Sequence, residues 1–142
     1  MRIALLIAHL LVIAIGTGMS FGNYINLRLA RHEAGERAAA LAGLRRTIAR
    51  VADVIIVLIW ASGLALVWAS VALGGPAFSA WFYAKLGFVV VLTVCHGLAR
   101  LTAGHMARIK DASLLGRLEL LVAGVWLSAL ASIFLAVMAF RL

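Results

Sequence analysis

The chain has 142 residues, of which 65% are hydrophobic and 13% charged, with a mean hydropathy of +1.12 and a formal net charge of +8 at pH 7. So few polar groups could not cover a water-soluble domain, and the length supports one domain, residues 1–142. The positive charge lies in two gaps between apolar runs, where it reports topology and contact with anionic headgroups; nucleic acid is therefore excluded as a partner.

Four apolar runs, 3–27, 51–73, 80–101 and 118–140, make up most of the sequence. Each is long enough to cross a hydrocarbon core of about 30 Å at about 1.5 Å rise per residue. The expected fold is all-α and integral to the membrane, a four-transmembrane-helix antiparallel bundle. Pro76, between the second and third runs, is the only proline, which suits continuous helices with internally satisfied backbones.

The first run follows Arg2 and looks at first like a secretory signal, but its apolar part is too long and no small-x-small cleavage site follows Gly16-Thr17-Gly18. It reads as the first membrane helix. Along it His9, Gly16, Ser20 and Asn23 recur at steps of seven, four and three, which holds them on one stripe. Gly18 and Gly22 add a GxxxG spacing on a neighbouring face, read as helix packing.

The gap 28–50 carries Arg28, Arg31, Arg37, Arg45, Arg46 and Arg50 against Glu33 and Glu36. Its Ala- and Leu-rich centre, 34–44, is expected to be a helix or an extension of the second run. The gap 100–117 is also basic, whereas 74–79 carries no charge. The positive-inside rule then puts the loops 28–50 and 100–117 in the cytoplasm and both termini outside, in a cell inner (cytoplasmic) membrane. Asp53 and Glu119, at the cytoplasmic starts of runs two and four, are read as carboxylates favoured by helix N-termini.

The second and fourth runs offer Ser62, Gly63, Gly124, Ser128 and Ser132 for helix contacts, and Trp60 and Trp126 as core fillers. Trp68 and Trp81 suit the outer interface. In the third run Lys85, Leu92 and His96 share a face, with Trp81 one turn ahead of the lysine. Cys95 is the only cysteine, so no intramolecular disulfide forms. His32 and His105 fall in basic loops and are read as solvated.

Ionisable groups within apolar runs are costly and point to function, which singles out His9, Lys85 and His96, with a helix-helix hydrogen bond as the alternative role of His9 and snorkelling to water as that of Lys85. Helices one and three both run inward from outside. His9 lies about 9 Å and Lys85 about 8 Å below the outer boundary, one level, while His96 lies about 16 Å deeper than Lys85. His9 and His96 therefore cannot ligate one metal atom, although they could border one elongated cofactor.

Several of these segments resemble the group of four-helix membrane proteins that includes the HemJ protoporphyrinogen oxidases, the CopD copper-resistance membrane domain and uncharacterised relatives. The resemblance rests on His9 in LLIAHLLVIAIGTG, on NLRLARH ending at His32, and on WFYAKLGFVVVLTVCH from Trp81 to His96. It implies a b-type haem within the bundle, with His9 as axial ligand and Lys85 as second ligand or propionate contact. Where HemJ-type oxidases carry an Asn-Glu-Val-Pro-like element before the last helix this chain reads GRLELLVAGVW, and their mid-helix Trp is replaced by VIAIGTGMS. That departure sets porphyrinogen oxidation apart from haem binding.

Three function classes follow. The first is a membrane oxidoreductase or electron carrier, with His9 and Lys85 as metal ligands, His96 at the cofactor's far edge, and a quinone or porphyrin-like donor. The second is an accessory or structural subunit without its own cofactor, in a homo-oligomer or larger membrane complex. The third is a copper or small-solute permease, for which Cys95 and four Met residues without paired spacing are a poor Cu(I) donor set.

Overall fold

The computed structural model describes residues 2–74, 78–109 and 112–139. They form α1 (Arg2–Ala30), α2 (Gly35–Ala72), α3 (Ala80–Ile109) and α4 (Leu115–Ala139), with a 3₁₀ turn at Ala112–Leu114 before the last helix. All four helices are long and apolar enough to cross a membrane, as expected. The Gly75-Pro76 turn and the end of run four at Phe140 lie outside the described residues.

Three boundaries differ from the hydropathy runs for one reason. α2 extends backward to Gly35 as 38 unbroken residues, α3 runs on to Ile109, and only 31–34 interrupt α1 and α2. Ala, Leu, Arg and Glu propagate a helix already nucleated in lipid, so most of the basic segment 28–50 is helical rather than loop. Asp53 consequently lies eighteen residues inside α2, not at a helix N-terminus, and its charge must be balanced by side chains. α2 ends where Gly74, at φ +65, takes the left-handed turn and donates its N–H to Val71 O at 3.1 Å.

α1 packs along α2 and α4, and α3 packs along α4, whereas α2 and α3 share no sustained backbone packing. The core is thin because lipid covers most of the rest. At the basic end Leu27, Ala99, Leu118 and Val122 cluster; mid-bundle come Leu92, Val125 and Ala129; above them Ile13, Ile55 and Ile59 pack with Val89 and Ile133. Large apolar side chains such as Trp68, 70% exposed, and Phe134, 65% exposed, face outward.

Close approach of α1 to α2 depends on Gly16. A Cβ there would lie 2.8 Å from Ile55 Cγ2. Gly18 and Gly22, expected to be the close-packing pair, have nothing within 4 Å of a Cβ. Their face looks away from the bundle because α2 and α4 flank the His9 stripe instead. α4 approaches α3 in the same way at Gly124, where Cys95 Sγ would sit 3.0 Å from a Cβ.

Candidate functional site

Serine and threonine in these helices send their single proton back to the carbonyl one turn earlier and turn a lone pair toward a neighbour. Ser62 Oγ donates to Leu58 O, and Thr93 Oγ1 donates to Val89 O at 2.8 Å. Each then serves as an acceptor between helices. Trp60 Nε1–H donates to Thr93 Oγ1 at 3.1 Å, tying α2 to α3.

The same arrangement fixes His9. Its side chain is buried, 5% exposed, with Nδ1 2.7 Å from Ser62 Oγ. Ser62 Oγ also reaches the carbonyls of Leu58 and Ile59, which favours the hydrogen on Nδ1 and the lone pair on Nε2. A hydrogen-bonded Nδ1–H with an open Nε2 is the arrangement of a metal-ligating histidine and its outer-shell partner. Gly63 lets the ring lie against α2, with His9 Cε1 3.4 Å from where a Cβ would stand.

Lys85 is half-buried on α3. One turn further in, Val89 of α3 packs on the cluster holding Ile13, one turn below His9. The two ionisable groups thus stand at one height on helices that face each other across the bundle.

His96 lies elsewhere. Its Nε2 is 2.7 Å from Asp53 Oδ1, and Arg100 Nη2 is 3.2 Å from Asp53 Oδ2. The carboxylate inside α2 is therefore balanced by two groups of α3, a pairing that the reading of Asp53 as a helix-terminal residue missed. The signal was present: Asp53 and His96 both fall a few residues inside the basic boundary of their runs. Glu119 likewise is buried under Arg31 at 2.7 Å and Arg28 at 3.4 Å, so it joins α4 to the end of α1. His32, in the turn after α1, and His105, on the extension of α3 and not in a loop, are both exposed.

Two cavities lie on the basic side of the His9–Lys85 level. The larger, about 360 Å³, is bounded by α2 and α3 and backed by α1 and α4; the smaller, about 30 Å³, runs into the core. They share Ser20, Ala52, His96 and Val125, and neither is lined by His9 or Lys85. Among the described residues no group of three or more His, Cys, Asp or Glu comes together. No protein-family model, curated protein or solved structure matches the chain.

Proposed function

We propose that this chain is a membrane-embedded redox protein that would bind a b-type haem, with His9 as an iron ligand and Lys85 as a second ligand or propionate contact. The observation that supports the reading is the His9 ring, buried and hydrogen-bonded through Nδ1 to Ser62, so that Nε2 is the nitrogen available to a metal. An imidazole with a free lone pair opposite an amine fits an iron centre. Neither cavity borders the pair, so the reading rests on the donors themselves and not on a preformed slot.

Bound there, the haem would supply one-electron chemistry with a quinone or porphyrin-like partner. This chain's residues have narrower tasks. Ser62 holds the imidazole tautomer and orientation, Gly63 leaves room for the ring, and Ile13, Ile55 and Ile59 keep water from its inner side. His96, tied to Asp53 on the basic side, would form a polar edge and not a ligand partner of His9.

Haem content per protein, measured after expression with ample haem, tests the proposal. Near-stoichiometric haem in the wild type and its loss in His9→Ala support it; wild type without haem, or His9→Ala with full haem, refutes it.

A second reading, an accessory subunit of a larger membrane complex or a homo-oligomer, is favoured by the open Gly18 and Gly22 face of α1, which would admit another helix closely. Co-purification of a stoichiometric partner through that face, abolished by Gly18→Leu and Gly22→Leu, tests it. The copper-permease alternative gains no such support, since Cys95 packs into α4 at Gly124.

A further inference from the structure

The larger cavity is a cleft with an unusual combination of walls. α2 contributes Ala49 and Ala52, α3 contributes Ala99 and Ala103, and these small side chains leave space between the two helices over a floor of Leu118 and Val122, with Asn23, His96 and Arg100 also in the lining. The lining runs from position 42 to 52 on α2, which is about 15 Å at helical rise. Because α2 and α3 lack sustained backbone packing, the cleft lies in the gap between them.

Toward the basic end of this groove stand Arg45 and Arg46. Neither forms an ion pair among the described residues, whereas Arg28, Arg31, Arg37 and Arg100 all do. Arg45 is half-buried in the lining, where burial and the adjacent Arg46 guanidinium both oppose its charge. A half-buried cation beside a like charge calls for an anion. The two arginines precede the apolar run that begins at Val51 by five and six residues, which is about 8–9 Å and the depth of the phosphate layer.

We propose that this cleft holds one anionic phospholipid of the surrounding leaflet, its phosphate between Arg45 and Arg46 and the start of an acyl chain along the alanine walls. Guanidinium forks match phosphate oxygens bidentately, and basic pockets between membrane helices suit lipid headgroups. A free inorganic anion would satisfy the arginines but leave the apolar groove beneath them without an occupant. The site is separate from the His9–Lys85 pair, and its test does not depend on haem.

The test is native mass spectrometry of delipidated protein titrated with equal amounts of phosphatidylglycerol and phosphatidylcholine. Wild type is expected to retain one phosphatidylglycerol with about tenfold preference, because the choline cation of phosphatidylcholine offsets the phosphate charge that the paired arginines require. Arg45→Gln/Arg46→Gln should bring that preference close to parity. Ala49→Phe, which keeps every arginine but fills the groove, should do the same and stands in if the double variant fails to fold. Arg37→Gln/Arg117→Gln, at the same end but outside the lining, should leave the preference intact. Unchanged preference in both cavity variants, or equal loss in the outside pair, overturns the proposal. Displacement of the lipid by millimolar inorganic phosphate also overturns it, by assigning the arginines to a free anion.

Discussion

Replacing Gly16 by alanine tests the contact that brings α1 against α2 and so sets His9 on Ser62. The added Cβ would meet Ile55 Cγ2 at 2.8 Å, while carbon atoms rest at about 3.5–4.0 Å, so the helices must separate by about 0.7 Å or more. Ile55 cannot move aside easily, because Cγ2 is fixed to its branched Cβ and the side chain is buried. Overpacking of this kind costs about 1–3 kcal/mol. Carried two turns along the interface, a shift of about 0.7 Å would stretch the 2.7 Å His9–Ser62 contact to about 3.4 Å, beyond a well-formed hydrogen bond.

Gly18→Ala and Gly22→Ala meet nothing within 4 Å and serve as controls, expected within about 0.5 kcal/mol of wild type. Unfolding equilibria in mixed detergent micelles measure the difference. Gly16→Ala/Ile55→Ala closes the cycle: deleting Cγ2 removes the clash, so the double variant should lose clearly less than the two single losses combined. A Gly16→Ala protein as stable as Gly18→Ala, or strict additivity in the cycle, would refute the close approach.

Ser62→Ala should keep the fold but lower haem affinity by about 10- to 100-fold, the usual cost of removing a ligand's outer-shell partner, as read by haem retention on dilution. Thr93→Val leaves the Trp60 N–H without its acceptor; the loss should be about 0.6 kcal/mol, and at most about 1.7, with a shift in tryptophan emission reporting the altered α2–α3 seam. Glu119→Gln should cost about 1 kcal/mol in the same unfolding assay, because the buried carboxylate's partners Arg28 and Arg31 are themselves partly exposed and screened. For sidedness, cysteines introduced at Arg37 and Ser79 in a Cys95→Ala background should label from opposite faces of sealed vesicles, Arg37 from the cytoplasmic face.

Hydropathy made the four spans legible because lipid imposes a length and a composition on every crossing segment. Depth counting along α1 and α3 likewise put His9 and Lys85 at one level, since helical rise is constant. What it could not supply was the neighbour: Ser62 stands among the residues for packing or hydrogen bonds between helices, but its pairing with His9 depends on helix rotation, which is decided by partners such as Ile55 and Gly16. The glycine spacing misled for the same reason, as Gly18 and Gly22 have the close-packing pattern but face away from α2 and α4. Asp53 was assigned to a helix start because the helix's extension into the basic segment is invisible to an apolar-run boundary, and the cleft beside it depends on α2 and α3 standing apart.

The central claim is that an open imidazole and an amine meet at one height inside the bundle. A reduced-minus-oxidised optical spectrum of purified wild type, His9→Ala and Lys85→Ala tests it most directly. The account expects a b-type haem spectrum in the wild type, its disappearance in His9→Ala and a displaced or weakened set of bands in Lys85→Ala. A wild-type spectrum without a Soret band, or three superimposable spectra, would contradict it.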